Sequence, residues 1–211
     1  IAIQGSENVC DATFDISHSN AINTQVATGK TFSAYEVSRF PEIDIVAQEL
    51  SADLPKIGEA YEGGVVFDVN NSYIKVLSLR ESDKLAWSTE NISTGCIESH
   101  EDGLDNTLKL LALPSYSEAA YPAVAWCVSL GEGWYLPALN ELKVLIDAAD
   151  KINNTLKGCG GTVMDITSPL YTCWSSTQKS GAKVWASNSY INGWCSPFDL
   201  DFPGKVRAIA K

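Results

Sequence analysis

Apolar residues recur at steps of three and four along "LNELKVLIDAADKINNTLKG": Leu139, Leu142, Leu145, Ile146, Ala149, Ile152 and Leu156. That period places them on one face of an α-helix, the strongest in the chain, with Gly158 as its stop. Two shorter helices are predicted before it. "NTLKLLAL" is amphipathic, with Asn106 or Asp105 as its N-cap and Pro114 as its end. "YPAVAWCVSLGEG" follows and is stopped by its glycines. A different pattern marks "YEGGVVFDVNNSYIKVLSL", where two β-branched runs flank an Asn-Asn pair and predict a hairpin. Gly63 and Gly64 point to a bulge or a close backbone approach at its first strand. "CGGTVMDITSPL" reads as a loop, and short strand candidates continue to "KVRAIAK".

Residues 1–55 are less regular. "ATFDISHSNAINTQVATGKTFSAYEVS" reads as strand and turn, and "PEIDIVAQELSADLP" as a short helix or strand closed by Pro55. The expected organisation is an N-terminal extension or small β-rich segment over 1–55 and one domain over 56–211. The expected fold class is α+β, with small antiparallel sheets, two or three helices and long loops.

Composition narrows the function classes. Of the 211 residues, 45% are hydrophobic and 19% charged, which is a globular balance. The formal charge of −11 disfavours a nucleic-acid backbone or an anionic membrane as partner, since both select Lys and Arg. No apolar run approaches the roughly 20 residues that span a bilayer. The chain starts at Ile1 with no charged and apolar leader pattern. An exported chain whose leader or lipid-anchor signal has been removed is the expectation, and the net charge fits one kept soluble outside the cell.

Catalytic constellations are scarce. The sequence holds no G-x-S-x-G, Walker loop, G-x-G-x-x-G or H-E-x-x-H. Its histidines, His18 and His100, both sit in polar segments that read as solvated loops. The cysteines are Cys10, Cys96, Cys127, Cys159, Cys173 and Cys195, with no C-x-x-C pair, so a structural zinc is not expected. Cys127, in "AVAWCVSL", reads as a buried free thiol, whereas Cys159, Cys173 and Cys195 lie where disulfides are easier to place. "ESHEDGLD", Glu98 to Asp105, is an acidic loop that lacks the spacing of a calcium loop. No metal, cofactor or catalytic residue is therefore assigned. Glycosylation sequons stand at Asn70, Asn91 and Asn153.

Tryptophan is more informative. Trp87, Trp126, Trp134, Trp174, Trp185 and Trp194 are many for this length, and burial accounts for most of them. Trp134 in "GEGWYLP" and Trp174 in "CWSST" read as structural, and Trp185 as a buried strand residue. Trp194 follows Gly193 at a turn, which makes it the best candidate for an exposed ring.

The segments "IGEAYEGGVVFDV", "DGLDNTLKLL", "YPAVAWCVSLGEGWYLPALNELKVL", "CWSST" and "KVRAIA" occur in this order. As an ordered set they resemble the domain-of-unknown-function group 1566, close to the major paralogous domain of Fibrobacter. The likeness covers about residues 56–211. It implies a C-type-lectin-like fold, of a kind found on surface proteins of Bacteroidetes. The same architecture is similar to that of retroelement-diversified variable proteins, whose diversified positions lie between a "WSST"-like start and a "VRA"-like end. Here that interval runs from Gln178 to Lys205 and contains "WASNSYINGWCSPFDLD". The calcium and sugar motifs of animal C-type lectins, E-P-N or Q-P-D with W-N-D, are absent, so calcium-mediated sugar recognition does not carry over.

The resemblance implies a ligand-binding face within that interval. Strand alternation puts Asn188, Tyr190 and Asn192 on one face before a turn at Gly193, with Asp199 and Asp201 opposite Phe198, Leu200 and Phe202 beyond it. With Trp194 these give the expected contacts: Asn188, Tyr190, Asn192, Trp194, Asp199 and Asp201. The functional expectation is a non-enzymatic module, secreted or on a cell surface, that recognises a protein or glycan by surface complementarity. Two alternatives differ in class. One is a stalk or tip subunit of a surface appendage, with residues 1–55 docking on a neighbour by strand addition. The other is an oxidase of the formylglycine-generating kind, a related fold whose "RLPTEAEWE" element resembles "WYLPALNEL" but whose acidic-Trp-acidic end is missing; its cysteine pair would have to be Cys173 with Cys195.

Overall fold

The computed structural model of the chain describes residues 54–90, 93–95, 97–179, 181–188 and 195–211, together with the strand residues 2–3 and 12–13. Its contacts divide the chain into two units, Ile1–Pro55 with Val69–Tyr73, and Lys56–Asp68 with Ile74–Lys211. In the first unit β1 (Ala2–Ile3) pairs antiparallel with β2 (Ala12–Thr13). The turn that the Asn-Asn pair predicts is closed by Asn70, whose side-chain oxygen accepts the N–H groups of Ser72 (2.8 Å) and Tyr73 (3.1 Å).

The second unit is α+β, built from small antiparallel sheets and, among the described residues, four helices. One sheet has the order β3-β4-β5-β9, from β3 (Ala60–Tyr61), β4 (Gly64–Asn70), β5 (Tyr73–Ser78) and β9 (Ile209–Ala210). The glycine pair marks a close approach: a Cβ on Gly64 would lie 2.6 Å from the Leu77 carbonyl oxygen, and Gly63 turns with φ +78°. The other sheet runs β6-β7-β8, from β6 (Thr172–Lys179), β7 (Lys183–Asn188) and β8 (Cys195–Asp199), with both pairs antiparallel.

The helices correct three expectations. The first, α1 (Gly103–Leu111), begins before Asp105 because the Asp102 carboxylate caps it, accepting the Asp105 N–H at 2.9 Å. Asn106 is instead buried inside the helix, where its amide donates to the Ser99 carbonyl (2.7 Å) and Ser176 Oγ (3.0 Å). The second, α2 (Pro122–Val128), starts on a proline whose missing N–H costs nothing in a first turn. The long amphipathic segment is two helices, α3 (Leu139–Asp147) and α4 (Ala149–Gly158), so the count exceeds the two or three expected. Ala148 between them relaxes to φ −91°, ψ −2°, and no Gly or Pro announces the break. The apolar stripe survives it: Leu139, Leu142, Leu145, Ala149, Ile152 and Leu156 are all buried, while Ile146 is half-buried against them. Gly158 is the last helical residue, and the left-handed stop is Gly160 at φ +69°.

Two apolar clusters fill this unit. One gathers Trp87, Leu110, Val124, Leu136, Trp174, Val184 and Ala186; the other gathers Phe67, Leu77, Tyr135, Leu142, Leu145, Ile152 and Ile209. Strand β6 feeds both, Trp174 facing the first and Cys173 the second, as alternation along a strand requires. It is a wall with a core on each side, and seven of its eight residues are buried.

Candidate functional site

Two buried carboxylates hold the frame around β6. Glu141 is 5% exposed and uses both oxygens: Oε2 accepts the N–H groups of Ala138 (2.8 Å) and Gly103 (3.0 Å), while Oε1 takes the Tyr135 hydroxyl (3.0 Å) and the Lys75 ammonium (2.9 Å). One side chain thereby ties β5, the start of α1 and the start of α3. Gly103 permits it, since a Cβ there would stand 2.5 Å from Glu141 Oε2. Burial, reinforced by the Glu141 charge, raises the Tyr135 hydroxyl well above its usual range and keeps it a donor. "WYLPALNEL" does run into the amphipathic helix that the sequence suggests, and its glutamate adds an interior anchor at the start of that helix.

Glu81 is the second carboxylate. It accepts Arg207 Nε at 2.9 Å and the Tyr171 hydroxyl at 2.9 Å, with Lys205 Nζ at 3.6 Å. The Arg207 guanidinium is wholly buried and also donates to the carbonyls of Ser78 (3.4 Å) and Thr162. A fully buried charge survives only with such partners.

On the other side of β6, Trp174 is locked in place. Its indole N–H donates to the Leu85 carbonyl at 2.8 Å, and Gly204 passes so near that a Cβ would come within 2.8 Å of the ring. Leu85 and Gly204 close a two-bond bridge across it, at 2.8 and 3.0 Å. Phe198 and Phe202 meet the indole edge-on at 6.1 and 6.2 Å and lie 4.7 Å from one another. Beside these rings opens a groove of about 260 Å³, lined by Phe198, Phe202, Pro203, Pro169 and Leu170, with Thr172, Asn188 and Lys84 as its polar members. Leu170 is 76% exposed and Phe202 38%, so the rim offers apolar area to solvent.

The expected contact residues separate. Asn188 lines the groove opposite Thr172 in the β6–β7 ladder. Asp199 does not join it: it stands opposite Lys183 in the β7–β8 ladder and accepts that ammonium at 2.7 Å, on the sheet face away from Phe198. Asp201 is exposed in the turn after β8 and does not line the groove. Tyr190, Asn192 and Trp194 lie outside the described residues. In and just after β8 it is therefore Phe198 and Phe202, not Asp199 and Asp201, that line the groove with Asn188. Sequence reading missed Lys84, Pro169, Leu170 and Pro203; the one available signal was the Pro-Leu pair that closes the loop "CGGTVMDITSPL". Trp185, expected to be buried, is half-buried, with Lys179 Nζ 4.8 Å above its ring.

Other candidate chemistry is spoken for. Cys127, Cys159, Cys173 and Cys195 are all free thiols, so no bridge forms at the last three, where one was easier to place. Ser187 stands between Cys173 and Cys195 in the ladder, bridged to each across the sheet. Burial, and then the Glu81 charge, push the Cys173 thiol up to about 12, which keeps it protonated and a poor nucleophile at neutral pH. Cys10 and Cys96 lie outside the described residues, as do His18 and Asn91. In the acidic loop Asp102 is a cap, Asp105 pairs with Lys109 at 2.6 Å and Glu101 accepts the Asn140 amide. Among the described residues no three His, Cys, Asp or Glu side chains gather as a metal site. The Asn153 amide is committed to the Met164 backbone, donating and accepting at 2.9 Å each.

The β8 edge carries Pro197, opposite Trp185. A proline there removes a donor that an added strand would need. Among the described residues no helix is long and apolar enough to cross a membrane. No family model matches this chain, and no curated protein matches it.

Proposed function

We propose that this chain is a non-enzymatic binding module of the C-type-lectin-like kind, secreted or displayed on a cell surface, that grips a protein or glycan ligand in the groove beside Trp174. The observation that carries this reading is apolar surface left open on a rigid mount: Leu170 and Phe202 are exposed, and Phe202 is braced edge-on against a fixed, buried indole. Rings held in this way contact a partner at little cost in conformational entropy. Burying a leucine or phenylalanine side chain contributes about 1.5–3 kcal/mol, enough for two of them to dominate a small interface. The cavity of about 260 Å³ falls just below the roughly 300–1,000 Å³ of sites that swallow a whole small molecule, so it suits one side chain or one ring of a larger ligand. The ordered motifs from "IGEAYEGGVVFDV" to "KVRAIA" support the lectin-like assignment and the export it implies.

Glycan-array and cell-binding assays of the native protein beside a Leu170→Ser, Phe202→Ser double variant test the reading. Both side chains are exposed enough for the variant to fold, and binding is expected to fall to background. Equal binding by a well-folded variant contradicts the assignment.

A further inference from the structure

Charge and shape in the groove narrow the ligand further. Among the described residues Lys84 is the only ionised side chain that lines the groove, and among them it has no ion pair or hydrogen bond. Three other lysines differ: Lys75, Lys183 and Lys205 each stand within 4 Å of a carboxylate, at 2.9, 2.7 and 3.6 Å. In a chain of formal charge −11, carboxylates are plentiful, yet none of the described ones pairs with this cation beside the apolar cavity. The net charge repels anions only at long range. At physiological salt that field fades over about 8 Å, so the local lysine decides what settles there.

Resting on the groove reading above, we infer that the groove receives the C-terminal residue of a polypeptide, its apolar side chain between Leu170 and Phe202 and its free α-carboxylate on Lys84. A chain end is the chemistry that joins an apolar group and an anion within one residue, which is what a cavity of about 260 Å³ can admit. An internal Asp or Glu brings the charge without the apolar group. Thr172, which lines the groove, adds a hydroxyl beside the place of the last peptide unit. Capture of a terminal carboxylate is a recurring way to recognise peptides.

The test uses the full chain and two phage libraries of the same random heptapeptides, one displayed with a free C-terminus and one capped by a linker. Clones enriched by the native protein over the Leu170→Ser, Phe202→Ser variant are expected only from the first library, ending in Leu, Ile, Val or Phe. Synthesised as free acids they bind. As C-terminal amides they weaken about tenfold, the loss of a charge-assisted contact, and Lys84→Gln weakens the acids about threefold to fivefold, as befits an exposed lysine. Equal affinity of acid and amide overturns the inference and leaves the groove as the binding site. So does a glycan that the native protein binds, that the double variant does not, and that these acids fail to displace. Enrichment that the double variant matches, or no enrichment at all, overturns the inference; joined to unaltered glycan and cell binding by that variant, it removes the groove reading too.

Discussion

Lys75 and Lys84 stand close in sequence and could hardly be used more differently. Lys75 is 11% exposed and holds Glu141 at 2.9 Å and Asp68 at 3.8 Å, inside a network in which each Glu141 oxygen is taken. Lys84 is exposed on the rim of an apolar groove with no described partner. The first kind of charge is completed by the fold, so removing a partner strands the other in a medium that cannot solvate it. The second stands in solvent, where the proposed ligand would meet it. Side chains that hold this protein together are therefore separable from side chains proposed to hold its ligand.

The largest effect should come from breaking the first kind. Glu141→Ala takes from the Lys75 ammonium its nearest carboxylate, leaving Asp68 at 3.8 Å, and orphans two backbone donors and the Tyr135 hydroxyl, at a cost of about 3–5 kcal/mol. Thermal denaturation should show a midpoint lower by about 10 °C. A shift of less than about 2 °C would mean the network is not an anchor. Next comes Gly204→Ala, whose new Cβ meets the Trp174 ring at 2.8 Å. The overpacking should cost about 1–3 kcal/mol, and the tryptophan fluorescence should change as the ring moves. Unaltered emission and stability would contradict a tight cradle.

Alkaline pH probes the same interior more gently. Cys173, Tyr171 and Tyr135 all titrate above their usual values, chiefly through burial. The folded chain thus keeps protons that the unfolded chain has lost, from about pH 9 upward. The stability these groups lend is complete below the unfolded thiol and phenol values and is lost as pH rises towards and through the folded ones. Denaturant midpoints should fall between about pH 9 and 11, and a flat profile there would contradict the burial argument. At pH 8, iodoacetamide followed by peptide mapping should label exposed Cys159 and spare Cys127 and Cys173. Smallest of all, Lys84→Gln should leave stability within about 0.5 kcal/mol, since nothing described depends on it.

The parts of the fold that follow local rules were legible in the sequence. The hairpin showed through its period and its Asn-Asn turn, and the apolar stripe from Leu139 to Leu156 showed through its three- and four-residue steps. What stayed hidden depends on distant partners. The break at Ala148 is marked by no Gly or Pro. Glu141 and Arg207 look like surface charges in a linear text, because the groups that complete them are supplied by β5, by α1 and by the segment around Glu81. The candidate site was half readable for the same reason. Alternation placed Asn188 and separated the aspartates from Phe198, but it could not say which side of the sheet was open. Only the packing of Trp174 against Gly204 and Phe202 does that. Lys84, Pro169 and Leu170 come from outside the 178–205 interval, beyond the reach of any reading confined to it.

The most direct test of the groove as the recognition surface compares two paired variants in one cell- and glycan-binding titration. Leu170→Ser with Phe202→Ser removes the exposed apolar rim of the groove, whereas Asp199→Ser with Asp201→Ser removes the aspartates that do not line it. At least about a tenfold loss of affinity is expected for the first pair, at a melting temperature lowered by only a few degrees for the lost Phe202 packing, and native affinity for the second. Native affinity for the first pair with loss for the second would place recognition on the aspartate face and contradict the account.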